Sequence, residues 1–282
     1  MSVPEFIYTV LLKPAPLRKA ANFVLKSILP RTIEVKGAII HLNPEDPVVS
    51  GALALNVYEK AEIEFFCKWF EPCMNFVDVG ANVGLYTGMA LRKKNQNAFA
   101  LSIEPDLQSV KFLKKTIASN NNKNIFLCPI AASENSDKIF LYKNSQNKGD
   151  NRIYPDSILD ECDAINSDTI DNLCKIHCIK KIDFIKIDVQ GAEFKALSGG
   201  SQILTESPDC ILMTEFWPYG LNKCNSCPED YLIFLQELGF SLFELSGKNL
   251  IKIINLKKII NESSGRLYKN IIGLKGKYLL KI

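Results

Sequence analysis

Phe76-Val-Asp-Val-Gly80-Ala-Asn-Val-Gly84 reads as a short buried strand that runs directly into a glycine-bearing turn, with a helix expected over Leu85 to Lys94. Strand, tight turn and helix in immediate succession form the ligand-binding corner of an open α/β sheet, beyond the carboxyl ends of its strands. Gly80 permits the turn and a close backbone approach. The helix that follows offers unpaired N–H groups and a partial positive charge. A dinucleotide-binding turn would read G-x-G-x-x-G, whereas here Asn82 and Leu85 take the second and third glycine positions. That counts against a pyrophosphate-bearing cofactor, because the second glycine makes room for the pyrophosphate.

Downstream, Phe99-Ala-Leu-Ser-Ile is a second strand, and Glu104 closes it, 24 residues after Gly80. A carboxylate at that position can accept both hydroxyls of a ribose. Asp78, at the first strand's end, can organise the turn or attract an ammonium. The set suits S-adenosylmethionine, which carries a ribose and an amino acid end but no pyrophosphate. The alternative is that Asp78 and Glu104 merely cap helices.

Ile182-Asp-Phe-Ile-Lys-Ile187 is strongly strand-like. Alternation puts Lys186 and Asp188 on one face, with Asp188 at the carboxyl end. Glu193 falls in the first turn of the next helix, which is expected to run towards Thr205. A lysine inside Ile-Lys-Ile needs a carboxylate partner if buried. The cluster reads either as a structural ion pair or as a site contacting cofactor or acceptor.

These three stretches, Phe76 to Thr87, Ser102-Ile-Glu-Pro and Asp183 to Phe194, resemble the FkbM family of S-adenosylmethionine-dependent methyltransferases, over roughly residues 55 to 245. Gly149-Asp-Asn-Arg-Ile-Tyr154 is similar to a stretch found in some members. The resemblance implies a class I methyltransferase: a Rossmann-like α/β fold with a seven-stranded, mostly parallel sheet, helices on both faces and an antiparallel last strand. It implies O-methylation of sugars, glycolipids, polysaccharides or related natural products. It maps cofactor binding onto Asp78, Gly80, Asn82, Gly84 and Glu104, with the adenine held near Ala131. A sugar hydroxyl is a poor nucleophile and gains from a base. Asp188 is the first choice, Glu193 the second and Glu215 the third, with Lys186 in the same cluster. The two histidines, His41 and His177, lie outside the motifs. Two of these carboxylates could instead hold a divalent metal; no metal ligand is assigned. Arg152 and Asp150 read either as a grip on the acceptor or as an ordinary solvated loop, and Trp217 and Tyr219 either as a sugar-stacking platform or as packing residues.

Residues 1–55 read as an N-terminal extension and 56–282 as the catalytic domain. The extension should be helical to about residue 35, with a β segment from Ile33 turning at Lys36-Gly37. The polar stretch from Asn144 to Thr169 reads as a long loop. With 34 basic and 31 acidic residues, the net charge of +3 leaves no nucleic-acid footprint. No apolar run approaches the ~18 residues a membrane span needs, and no signal peptide is apparent. Basic termini leave weak peripheral membrane contact open, and the oligomeric state is not set. Nine cysteines without an export signal read as reduced cytoplasmic thiols. Cys174, Cys178, Cys224 and Cys227 are weighed as a zinc set and not adopted, for want of a second C-x-x-C knuckle. The competing functions are a nicotinamide-dependent oxidoreductase and a non-catalytic binding protein on a methyltransferase fold.

Overall fold

A computed structural model describes residues 29–120, 123–144, 147–159 and 161–282. A hairpin of β1 (Thr32–Val35) and β2 (Ala38–His41) leads into α1 (Pro47–Ala54) and α2 (Lys60–Trp69). Next come β3 (Phe76–Val79), α3 (Leu85–Lys93), β4 (Ala100–Ile103), α4 (Leu107–Ser119) and β5 (Ile125–Cys128). Strands β6 (Ala131–Ala132), β7 (Lys138–Lys143) and β8 (Glu161–Asp168) form a separate sheet in the order β6-β8-β7. The chain continues through α5 (Ile170–Ile176), β9 (Phe184–Ile187), α6 (Glu193–Ser198), α7 (Ser201–Glu206), β10 (Cys210–Phe216), α8 (Pro218–Lys223) and α9 (Pro228–Glu237). It ends with β11 (Ser241–Ser246), β12 (Asn249–Lys252), α10 (Leu256–Glu262) and β13 (Lys269–Lys275).

The central sheet has the order β12-β11-β13-β10-β9-β3-β4-β5. Neighbours from β10 through β9, β3 and β4 to β5 are parallel, while β13 lies antiparallel between β10 and β11. This is the expected seven-stranded arrangement plus one edge strand, because a tight turn at Gly247 folds β12 back onto β11. Strands β3, β4 and β9 are buried at every position. A parallel sheet covered on both faces leaves no exposed position along such strands, so their polar residues, Asp78, Ser102 and Lys186, are buried too. Phe66, Phe70, Phe76 and Phe184 pack on one face, and Val77, Leu101, Ile185 and Leu212 belong to the core on the other.

Three expectations change. The stretch Asn144 to Thr169 is not all loop, since β8 pairs with β7 across six residues. Most of β8 is exposed, so it has no apolar alternation to read. The helix expected from Glu193 to Thr205 breaks at Gly199-Gly200 into α6 and α7. Two adjacent glycines are poor helix formers, and a side chain on Gly199 would overlap the Ser133 carbonyl, which accounts for the glycine there. The helix expected over the first 35 residues falls mostly outside the described residues, and at its end Thr32–Val35 is strand.

The described part of the extension joins the rest of the chain intimately. Asn120, the residue that caps the end of α4, exchanges hydrogen bonds with the Ile39 amide (3.0 Å) and carbonyl (2.8 Å). Ile40, Leu42, Val49 and Leu53 share one core with Phe66 and Phe76. Asp46 caps α1 by accepting from the Val49 amide at 3.1 Å.

Gly80 and Gly247 both have positive φ, but their surroundings differ. A Cβ on Gly80 would overlap the Asp188 carbonyl, whereas nothing lies near one on Gly247. Left-handed strain costs an alanine roughly 1–2 kcal/mol, and overpacking adds roughly 1–3 kcal/mol. Denaturant unfolding should therefore show Gly80→Ala losing roughly 2–5 kcal/mol and Gly247→Ala roughly 1–2 kcal/mol. Equal losses would contradict the contact between β3's exit and β9's exit.

Candidate functional site

The two turns build each other. Beyond β3, Gly80, Asn82 and Gly84 all have positive φ. The amides of Gly80 and Ala81 both donate to the Ile103 carbonyl, at 2.9 and 3.1 Å, stitching the turn to the end of β4. Asp78 is buried, and its Oδ2 accepts from the Thr87 amide (3.0 Å) and hydroxyl (2.6 Å), satisfying the start of α3. Its Oδ1 is buried without a hydrogen-bond partner. Burial raises the Asp78 pKa, and Lys186 opposes the rise.

Glu104 Oε2 accepts from the Asn82 amide and Oε1 from the Asp106 amide, both at 2.8 Å. Each oxygen keeps another lone pair for a ligand. Burial pushes this carboxyl up to about 7; the two amides oppose the rise, and Asp106 and Asp78 add to it.

Lys186 is placed by register, since Asp78 and Lys186 are paired residues of β3 and β9. Its Nζ lies 3.3 Å from Asp188 Oδ2 and 5.1 Å from the centre of the Tyr86 ring. Burial works against its charge, but Asp188, Glu59 and Asp78 outweigh that and hold the pKa above the ordinary lysine value. Gln190 Nε2 donates to Asp188 Oδ1 at 2.8 Å and to Glu215 Oε2 at 3.4 Å. Glu193 is fully buried, and its Oε1 clamps the second turn by accepting from the Val189 (3.0 Å) and Gly191 (3.2 Å) amides. Burial pushes the Glu193 carboxyl to about 7.

A cleft opens over these turns. Asp78, Gly80, Asn82, Glu104, Ala131, Lys186 and Asp188 line it, with Leu53 of α1, Leu141 of β7 and Gly149 closing its sides. Gly84 and Glu193 lie behind the wall: Gly84 packs against Leu113 of α4, and Glu193 sits beneath its turn. A second cavity of about 330 Å³ adjoins the cleft, lined by Glu59, Glu62, Tyr86, Lys186, Asp188 and Glu215. Glu59 borders both spaces, and nothing in the sequence singled it out. An acid just before a helix looks like ordinary dipole complementarity. Its Oε2 accepts from the Tyr86 hydroxyl at 2.6 Å, and its backbone is left-handed at φ 40°. Burial pushes the Glu59 carboxyl to about 7 against the pull of Lys186.

Other candidates have different positions. Arg152 is buried and bonds to Asp150 (2.6 and 2.8 Å) and Asp156 (2.7 Å), with its guanidinium over the rings of Tyr154 and Trp217. It staples the loop to the start of α8, so its donors point at protein carboxylates. His41 bonds Ser119 and His177 stacks on Phe126, both away from the cleft lining. Cys174 and Cys224 are buried in separate hydrophobic clusters, and among the described residues no group of three or more potential metal ligands includes a cysteine. Among the described residues, no helix is long and apolar enough to cross a membrane.

The family model described as the methyltransferase FkbM domain matches residues 78–242, more than half of the chain. The chain belongs to this family of methyltransferases. No curated protein sequence matches it. Among solved structures it is similar to M. jannaschii TYW2 in complex with AdoMet, at 11% identity and a TM-score of 0.43, covering 86% of this chain and 84% of that one. It is also similar to an S-adenosylmethionine-dependent O-methyltransferase from Thermotoga maritima, at 12% identity and a TM-score of 0.42, covering 87% and 77%. A putative rRNA methylase from Clostridium thermocellum aligns at 10% identity with a TM-score of 0.44, covering 75% and 94%.

Glu104 titrates near 7 when folded, against 4.5 for a free glutamate, so the folded state holds the extra proton between those values. Its contribution to stability is complete below the free value and is lost as pH rises through about 7. Glutamine cannot lose a proton. The stability of Glu104→Gln relative to the parent should therefore climb by about 1.4 kcal/mol per pH unit across that window. Denaturant melts at several pH values measure this, and a difference that stays flat would refute a buried, late-titrating carboxyl.

Proposed function

We propose that the chain O-methylates a hydroxyl of a sugar, glycolipid, polysaccharide or related natural product. The observation that carries this reading is the junction at Glu59, Tyr86, Lys186 and Asp188 between a ribose-ready cleft and an acid-lined cavity. The cleft fits the family's cofactor. Glu104 retains a lone pair on each oxygen for the ribose, Ile103, Ala132 and Leu141 offer apolar wall for the adenine, and Asp78 Oδ1 lacks a partner. When bound, S-adenosylmethionine supplies a methyl on a sulfonium, a leaving group that needs no proton. The protein's work is then to position the acceptor and exclude water.

Both oxygens of Asp188 already have partners, Lys186 and Gln190, which leaves it poorly placed to act as the base. We assign Asp188 and Lys186 to orienting the acceptor, Glu193 to holding the turn, and Glu59 to taking the hydroxyl proton. Glu59 faces both spaces, and a carboxyl held near 7 suits a base at neutral pH. The direct test is incubation of the full chain with methyl-labelled cofactor and a glycan and glycolipid extract. Mass spectrometry should find the label on a carbohydrate oxygen; label on nitrogen alone would contradict the reading.

Two variants separate the roles. Glu104→Ala should weaken S-adenosylhomocysteine binding by roughly 2–4 kcal/mol, through two lost charge-assisted hydrogen bonds. An unchanged dissociation constant would remove Glu104 from the site. Glu59→Gln should lower kcat by roughly 10²–10⁴-fold with little change in that constant. Normal turnover would return the role of base to Asp188.

A further inference from the structure

We propose that Asp188, Glu193 and Glu215 bind one divalent cation of the hard, oxygen-preferring class: Mg²⁺, Mn²⁺ or Ca²⁺. The inference deepens the methyl-transfer reading, since Asp188 and Glu215 face the acceptor cavity. One carboxylate oxygen from each of the three residues lies within 4.8 Å of the others. Oxygens on opposite sides of a cation held at about 2.1–2.6 Å stand up to about 5 Å apart, so one ion reaches all three. Strands β9 and β10 pair as far as Ile187 and Thr214, and the next residue of each strand is a member of the cluster, Asp188 and Glu215.

A second observation points to a ligand. Glu193 is fully buried, its Oε1 is fixed by two turn amides, and its Oε2 has no hydrogen-bond partner. A buried carboxylate oxygen held in place and left without a donor is a costly arrangement unless something positive meets it. Lys186 does not fill that role, as its Nζ bonds to Asp188 Oδ2. Gln190 Nε2 bonds to both Asp188 and Glu215. Amide nitrogen and oxygen are nearly isosteric, so a half-turn of this side chain supplies a fourth oxygen ligand. The donors are all oxygen, without thiol or imidazole, which favours the hard cations.

Against the acceptor, such an ion would lower the hydroxyl pKa and fix its direction. The O–H proton then passes to Glu59, and the oxygen–methyl bond forms as the sulfur–methyl bond breaks.

The test uses the full chain, treated with chelator and titrated with MnCl₂ while free Mn²⁺ is followed by electron paramagnetic resonance. Saturable binding of about one Mn²⁺ per chain is expected, with displacement by Mg²⁺ or Ca²⁺. Glu215→Gln should weaken it by at least about tenfold, whereas Glu62→Gln, in the same cavity but outside the cluster, should leave it unchanged. If Glu215→Gln does not fold by circular dichroism, Asp188→Asn carries the comparison. Absence of saturable binding, or binding indifferent to these cluster substitutions, overturns the proposal. Binding is read without cofactor or acceptor, so its failure is distinct from a failure of label transfer.

Discussion

A lysine ammonium in the middle of a parallel sheet governs this molecule. Lys186 sits on β9 between Asp78 of β3 and Met213 of β10, among strands buried on both faces. Removing one partner of a buried ion pair typically costs roughly 3–5 kcal/mol, so the charge has to be answered by carboxylates. Those carboxylates come from distant parts of the chain: Asp78 beside it, Asp188 two residues on, and Glu59 at the start of α2. Their convergence places the acidic groups at the carboxyl ends of the strands, where an open α/β sheet presents its ligand crevice. Stability and function draw on the same charges.

Backbone contacts then make two turns into one rigid unit. Gly80 lies against the Asp188 carbonyl and Gly191 against Gly220, with no room for a side chain at either. The first turn is tied to the end of β4 and the second is clamped by Glu193. A site built from strand ends and hydrogen-bonded turns holds its groups more closely than one built on free loops. The Arg152 staple extends this order to the polar loop, bringing Gly149 and Asn151 to the cleft wall.

The legible parts were those with a local physical signature. Runs buried on both faces announced β3 and β9, and Glu104 was found because a ribose-binding acid has a fixed place after the second strand. The cap of α4 is local in the same way, since Asp106 accepts from the Ser109 amide of its own helix. What stayed hidden depends on contacts far apart in sequence. Strand β8 is mostly exposed and exists through pairing with β7. Helices α1, α5, α8 and α10 are too short to show a period. Glu59 reaches the site only because α2 packs beneath Tyr86, and Arg152 looked available because Asp156 and Trp217 meet it only in the folded chain.

The central claim is that the crevice above β3, β4 and β9 holds the cofactor. Amide hydrogen exchange on the full chain, with and without saturating S-adenosylhomocysteine, tests it most directly. The account predicts slowed exchange concentrated at residues 80–84, 104–106 and 188–192, with smaller protection around 149–153. Protection confined to other segments, or none at saturation, would contradict it.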